Sequence, residues 1–386
     1  MSLDNIQLTK EIFIAIDIVS NGDGTKDKPF KAPGGHLDGF VSQFGNSIKV
    51  NLFPGHYVTR GFRVPENFIL EGLGVHKEDT VIRLIGNVGD TNFNYPHIRM
   101  FAEKTWSNLF VIKNLTLDGN WQNQVMAGIN GNYKIDLVVG RCTQGKAENI
   151  KIINFGANGK NYGMEGLEAF PLCFNTFSNG PPYKYHPQYL PVNQREPQTY
   201  VEVSDCEVSN GNFLNGGYCT AIFVRTNQPD GGDRQVVGVR ESPAAVIKNN
   251  VDSCGDGIAY GCGVAEMVKF ENNKSISSKC GLNIDTGVIN RIQITRNQFL
   301  DCNQGINIVP VIGSKNVIIK NNVITLTAPY FNKILKRYEP FYGINIKNVT
   351  ETSIKNNYIL GLNPQYKKNK AIVGFNEPGN VLVNLS

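Results

Sequence analysis

Ala245-Val-Ile-Lys-Asn-Asn250, Met267-Val-Lys-Phe-Glu-Asn-Asn273, Ile292-Gln-Ile-Thr-Arg-Asn297 and Val317-Ile-Ile-Lys-Asn-Asn322 are four copies of one pattern. Each alternates apolar and polar residues and closes on Asn. A fifth copy, Ser353-Ile-Lys-Asn-Asn357, follows. The closing Asn falls at 250, 273, 297, 322 and 357, so the steps are 23, 24, 25 and 35 residues. Weaker copies stand upstream at Val111-Ile-Lys-Asn114 and Ile150-Lys-Ile-Ile-Asn154. A second pattern follows each copy, a small residue and then an apolar one: Gly257-Ile258, Gly281-Leu282, Gly305-Ile306, Gly343-Ile344 and Ala371-Ile372. Two short strands per period, each with period-two alternation, exclude helical repeats. A coil of three short strands satisfies the spacing. Asn at the turn can then bond to Asn in the next coil, as stacked amide ladders do. The predicted fold is all-β, a single-stranded right-handed parallel β-helix. It is read as one domain over residues 1–386, with 1–47 as lead-in and cap and 48–386 as coils.

Composition agrees. Hydrophobic residues make up 41% and charged residues 18%, which describes a chain that folds and not a disordered one. The 40 glycines favour strands and turns over helix. The net charge of +5 comes without a Lys/Arg run, so nucleic acid is not an expected partner. No apolar stretch reaches the roughly 20 residues of a membrane span, so no membrane partner is expected either. Met1 to Lys10 lacks the charged and apolar segments of a signal peptide. None of the eight cysteines forms a CxxC metal pair. Cys254, Cys280 and Cys302 recur once per coil, as reduced thiols packed inside would.

The chain resembles the pectin lyase-like superfamily of right-handed β-helices. The resemblance rests on Ile16-Asp-Ile-Val-Ser-Asn-Gly-Asp-Gly-Thr-Lys-Asp-Lys-Pro-Phe30, on Ile48-Lys-Val-Asn-Leu-Phe-Pro-Gly-His-Tyr57 and on Ile112-Lys-Asn-Leu-Thr-Leu-Asp-Gly-Asn120. The second run is similar to the superfamily's Pro-Gly-x-Tyr turn. The third is similar to early coils of the polygalacturonase and tailspike branches. The polygalacturonase branch also carries an Asp-Asp pair and a Gly-His-Gly, and this chain has neither. The resemblance implies that the outer face of the strand beginning with the small residue floors a saccharide cleft. It implies a polysaccharide partner and an extracellular or virion-associated protein, monomeric or homotrimeric.

Alternation then selects the residues. In Gly281-Leu-Asn-Ile-Asp285, Leu282 and Ile284 point inward, so Asn283 and Asp285 point outward. The same rule turns Asn307, Lys347, Ala259, Phe223 and Arg225 outward, with Asp256 at a strand start and Glu165 one coil earlier. Asp256, Asp285, Arg225 and Glu165 are the catalytic candidates. Carboxylates serve as acid and base in glycoside hydrolysis. An Arg neutralises a uronate or takes its proton. Ca²⁺ would be the cofactor of a lyase, held by oxygen ligands. Asn283, Asn307, Lys347 and Tyr260 are candidate saccharide contacts. Two loops, 165–199 and 326–342, are placed to wall the cleft. The first adds Tyr183, Tyr185 and His186, and a third excursion adds Arg234. The readings that follow are a polysaccharide lyase or glycoside hydrolase, a non-catalytic adhesin or tailspike-like module, and a fructan-transferring enzyme with a site between subunits.

Overall fold

A computed structural model describes every residue except 1–7, 42–44, 86–88, 91–96, 104–106, 125–132, 160–166, 176–199, 226–242, 256, 264, 286–288, 311–313, 328–330, 333–336, 339–341, 363–369, 374–380 and 385–386. The expected right-handed parallel β-helix is the fold. The chain divides into two compact units, residues 1–176 with 200–217 and residues 177–199 with 218–386. No helix among the described residues is long and apolar enough to cross a membrane.

In the first unit, Lys10–Ala15 pairs in parallel with Ile48–Leu52, and that strand pairs with Phe68–Gly72. Ser107–Asp118, Tyr133–Ile153 and Tyr200–Ser204 continue the stack. One inward column runs Ile12, Val50, Leu70, Ile112, Ala147 and Val203, each in register with the next. All six are buried. The Pro54-Gly55-His56-Tyr57 turn has a clear physical cause. Tyr57 is fully buried, and its hydroxyl lies 2.9 Å from the carbonyl oxygens of both Ile14 and Phe53. The ring fills the first coil while the hydroxyl fastens the turn to the preceding strand.

The second unit holds the repeat that opened the sequence. Its coils have three strands, as expected. The first kind is Ala245–Lys248, Val268–Glu271, Ile289–Thr295, Ser314–Lys320 and Val349–Lys355. The second kind begins after the closing Asn, as in Val251–Ser253 and Gln298–Cys302. The third is Tyr218–Arg225, Gly257–Cys262, Cys280–Ile284, Gln304–Ile308, Tyr342–Ile346 and Lys370–Val373. The first kind stacks Ile247, Phe270, Ile294, Ile319 and Ile354 in one fully buried column. Each such side chain contributes about 1.5–3 kcal/mol by leaving water. The small residue of the repeat also has a reason. A Cβ on Gly281 would fall 2.5 Å from the Phe299 ring.

The two asparagines of each pair do different work. The first, at 249, 272, 321 and 356, adopts a left-handed backbone with φ between 54° and 58°. That turns the chain from the first strand into the second, and Asn tolerates it better than most residues. The second asparagine is buried. Asn250 Nδ2 donates to Asn273 Oδ1 at 2.9 Å, Asn273 to Asn297 at 2.9 Å, Asn297 to Asn322 at 3.0 Å and Asn322 to Asn357 at 2.8 Å. Each Oδ1 also accepts the backbone N–H of the preceding asparagine. The remaining hydrogen of each Nδ2 from Asn273 onward goes to a strand carbonyl, as from Asn297 to Phe270. A buried amide so satisfied stabilises the stack, and a buried amide left unsatisfied would not.

All eight cysteines are unpaired and buried. Burial holds the Cys254, Cys280 and Cys302 thiols well above their ordinary range, which suits packing and not nucleophilic chemistry. Asp252 is the exception among these apolar interiors. It is fully buried, and it accepts hydrogen bonds from the Ser278 hydroxyl and the Cys254 N–H. Burial outweighs those bonds and pushes its carboxyl up from 3.8 to about 6.

Two expectations follow. Asn297→Ala removes a double acceptor and a double donor at once, and should lower stability by about 3 kcal/mol or more, read from denaturant midpoints. The raised carboxyl of Asp252 makes the folded state the better proton binder. Its contribution is complete below the unfolded value of 3.8 and is lost as pH rises through about 6. Stability should fall by up to about 3 kcal/mol across that window, and thermal melts of Asp252→Asn should lack this component.

Candidate functional site

The outer face of the third-strand sheet in the second unit carries the expected column. Strand pairing places Phe223 beside Gly261, Gly261 beside Asn283, Asn283 beside Asn307 and Asn307 beside Asn345. One residue further along the same strands stand Arg225, Gly263, Asp285, Val309 and Lys347. The ladder continues there through Gly263 N to Val224 O at 3.0 Å, Val309 N to Ile284 O at 2.7 Å and Lys347 N to Ile308 O at 3.0 Å. Alternation holds. Leu282 and Ile284 are fully buried, Asn283 and Asn307 are half-buried, and Asp285 and Lys347 are exposed. Arg225, Asp285 and Lys347 thus share one line, each two coils from the next. At one coil per strand spacing that is about 10 Å.

Two glycines shape this line. A Cβ on Gly261 would lie 2.9 Å from Phe223, and one on Gly263 would lie 2.9 Å from Arg225 Cγ. Both side chains therefore lie across the following coil, where only glycine leaves room. The Arg225 guanidinium carbon sits 5.0 Å from the Phe223 ring centroid, a cation–π distance.

The asparagines form a second amide ladder, on the outside. Asn345 Nδ2 donates to Asn307 Oδ1 at 2.8 Å, and Asn307 Nδ2 donates to Asn283 Oδ1 at 2.7 Å. The Tyr342 hydroxyl also donates to Asn307 Oδ1, at 2.9 Å. Amide oxygens are consumed inside the ladder. Asn307 spends one Nδ2 hydrogen there and keeps its second, and the Nδ2 of Asn283 faces the next position along the column. With Arg225 and Lys347, the face presents donors, and Asp285 is the one carboxylate of this column among the described residues.

One expectation is corrected. Tyr260 is not a saccharide contact. It is fully buried, with its hydroxyl 2.7 Å from the Lys274 carbonyl and 3.0 Å from that of Asn250. The reason is alternation. Tyr260 lies against the inward Leu282, and the outward place beside Asn283 belongs to its neighbour Gly261. Ala259 is also fully buried and presents no surface. Asp256, Glu165, Tyr183, Tyr185, His186 and Arg234 lie outside the described residues. Within the loop 326–342, Phe331–Asn332 pairs antiparallel with Arg337–Tyr338. Sequence reading passed over Tyr342 as a partner of Asn307, and the alternating Gly261-Cys-Gly263 was the available sign that neighbouring side chains cross this strand.

The described residues do not suit Ca²⁺, which takes six to eight oxygens. The Oδ1 atoms of Asn283 and Asn307 are taken by the ladder, and no group of three or more His, Cys, Asp or Glu is gathered among the described residues.

No protein-family model matches the chain, and no curated protein matches it. Among solved structures, the GH136 lacto-N-biosidase from Eubacterium ramulus superposes with a TM-score of 0.52 and 11% identity, over 97% of this chain and 68% of that one. The A-module of the Azotobacter vinelandii mannuronan C-5 epimerase AlgE6 gives 0.41 and 14%, over 91% and 93%. A rhamnogalacturonan lyase gives 0.38 and 13%, over 97% and 87%. At such identities the likeness speaks for the fold alone, a right-handed parallel β-helix.

Tyr260→Phe should cost about 1–2 kcal/mol, because the one hydrogen bond that the buried hydroxyl donates to a strand carbonyl is lost. It should leave saccharide binding unchanged in a titration, as an inward residue must.

Proposed function

We propose that the protein binds an acidic polysaccharide along the Arg225–Asp285–Lys347 line and cleaves it by β-elimination. The observation that carries this reading is the donor-lined face. Two cations and the Asn283–Asn307 amides offer N–H groups, so the fitting ligand is rich in acceptors, as a uronate-bearing chain is. A charged side chain at every second coil, Arg225, Asp285 and Lys347, also matches an extended polymer better than a compact ligand. Arg225, braced on Phe223, neutralises a uronate carboxylate, and that neutralisation makes the adjacent C–H acidic. Asp285 is the described carboxylate able to take the proton. The C–O bond to the next sugar then breaks, its electron pair leaves with the oxygen, and that oxygen takes a proton from water, giving an unsaturated uronate and a new hydroxyl while Asp285 returns its proton to solvent. Lys347 holds the chain two coils away. The neighbours in the solved structures act on saccharides by their names, which is in keeping with this reading. Such polymers are met outside the cell or at a host surface, so an extracellular or virion-associated setting belongs to the same proposal.

The external amide ladder favours a second reading, a glycan-binding adhesin or tailspike-like module. Amides hydrogen-bond to sugars but do not transfer protons. The two readings separate in one assay. Incubation with polygalacturonate, alginate and neutral polysaccharides, with and without Ca²⁺, should give ultraviolet absorbance from unsaturated uronate on an acidic polymer. Arg225→Ala should lower that rate about ten- to a hundredfold with an unchanged melting profile. Glycan-array binding without absorbance or new reducing ends would establish the binding module instead.

A further inference from the structure

A pocket of about 370 Å³ lies in the first unit, on the outer face of its first stack of strands. Asn51 is at its centre. In register, Phe13 stands on one side of Asn51 and Glu71 on the other. Lys49 and Phe53 flank it along its own strand, and all five line the pocket with Glu11. The volume falls in the range of small-molecule sites, about 300–1,000 Å³.

Two lysines, Lys26 and Lys49, and two glutamates, Glu11 and Glu71, line the pocket, so its charges are matched. Lys49 Nζ is 3.0 Å from Glu11 Oε1 and 3.1 Å from Glu71 Oε2. Burial works to lower the Lys49 ammonium, but its bonds to Glu11 and Glu71 prevail and raise it. Bonds from Lys49 and Asn51 hold the Glu11 carboxyl low. A metal cation would have to displace the ammonium, and an anion would face two carboxylates. The pocket favours an uncharged ligand.

Asn51 has no exposed surface, and its Oδ1 has no hydrogen-bond partner within the protein. Its Nδ2 donates to Glu11 Oε1 at 2.9 Å and to the Ile12 carbonyl at 3.3 Å. That fixes the amide's orientation, because the flipped amide would set Oδ1 against the Glu11 carboxylate. A buried acceptor without a donor costs about 1–3 kcal/mol. The Phe13 and Phe53 rings stand 6.3 Å apart beside it. The pocket thus lacks an uncharged donor and offers apolar faces next to the place that donor would take. A sugar hydroxyl with its flanking C–H face has that chemistry.

We infer that this pocket is a second saccharide site, which takes one neutral sugar residue through a hydroxyl donated to Asn51 Oδ1 and a face laid on Phe53. Oδ1 is covered, so the sugar must move a side chain aside to reach it. The inference is independent of the reading of the second unit. It is tested on the full chain by saturation-transfer NMR with methyl glycosides of glucose, galactose and N-acetylglucosamine, and with galacturonate as the charged control. At least one neutral glycoside should give a saturable signal that weakens about tenfold in Asn51→Leu and in Phe53→Ala. Arg225→Ala should leave it unchanged, which separates this pocket from the cleft of the second unit. Galacturonate should not compete. Absence of signal from all three neutral glycosides, or a signal that persists in the folded variants, overturns the inference. If Asn51→Leu fails to fold, Phe53→Ala alone decides.

Discussion

The carboxamide of Asn297 accepts from one coil and donates to the next, and the architecture of the second unit depends on that double bond. A solenoid interior has no room for an unpaired polar group. Asparagine at the turn is therefore either satisfied on both sides or destabilising. Satisfaction on both sides requires the next coil to present its own asparagine at one strand spacing. The ladder from Asn250 to Asn357 meets the requirement four times. It sets the register of every strand that follows a turn, and through it the height at which each outer side chain emerges.

The same chemistry is used on the outside with a different result. Asn283, Asn307 and Asn345 bond to one another as the buried amides do. Inside, the remaining amide hydrogens end on strand carbonyls. Outside, they are left at the surface, so the ladder becomes a row of donors at fixed spacing. Arg225 joins the row because Gly261 and Gly263 vacate the coil it crosses and Phe223 supports its guanidinium. Rigidity of the floor is what turns scattered polar residues into an ordered surface.

Much of this was legible in the residues. The recurring Asn named the coil length, and Pro54-Gly-His-Tyr57 named the first turn. Alternation placed Asn283, Asp285, Asn307 and Lys347 outward. What stayed hidden has physical causes. Gly257-Ile258 imitates Gly281-Leu282, but the strand Gly257–Cys262 runs long, and its pairing sets Tyr260 and not Ile258 against Leu282. Only the packing of Tyr260 against two carbonyls reveals that shift. The two asparagines of a pair look alike in sequence, yet one carries a left-handed backbone and the other a buried ladder. Asp252 sits in Val-Asp-Ser, a pattern no different from a surface strand. The pocket around Asn51 joins strands about forty positions apart in the chain, so no local spacing announces it.

The step from Asn322 to Asn357 is 35 residues, where earlier steps are 23 to 25, yet the ladder bond across it is 2.8 Å. The extra residues fall between the strands Val323–Leu326 and Tyr342–Ile346, and the turn asparagines on either side keep their bond. Coil length is thus free at that place and held to 23 to 25 residues over the three steps before it. A lineage carrying this scaffold can replace the excursion wholesale and keep the floor beneath it. New recognition can then arise by exchange of one segment, with no need to rediscover a foldable chain.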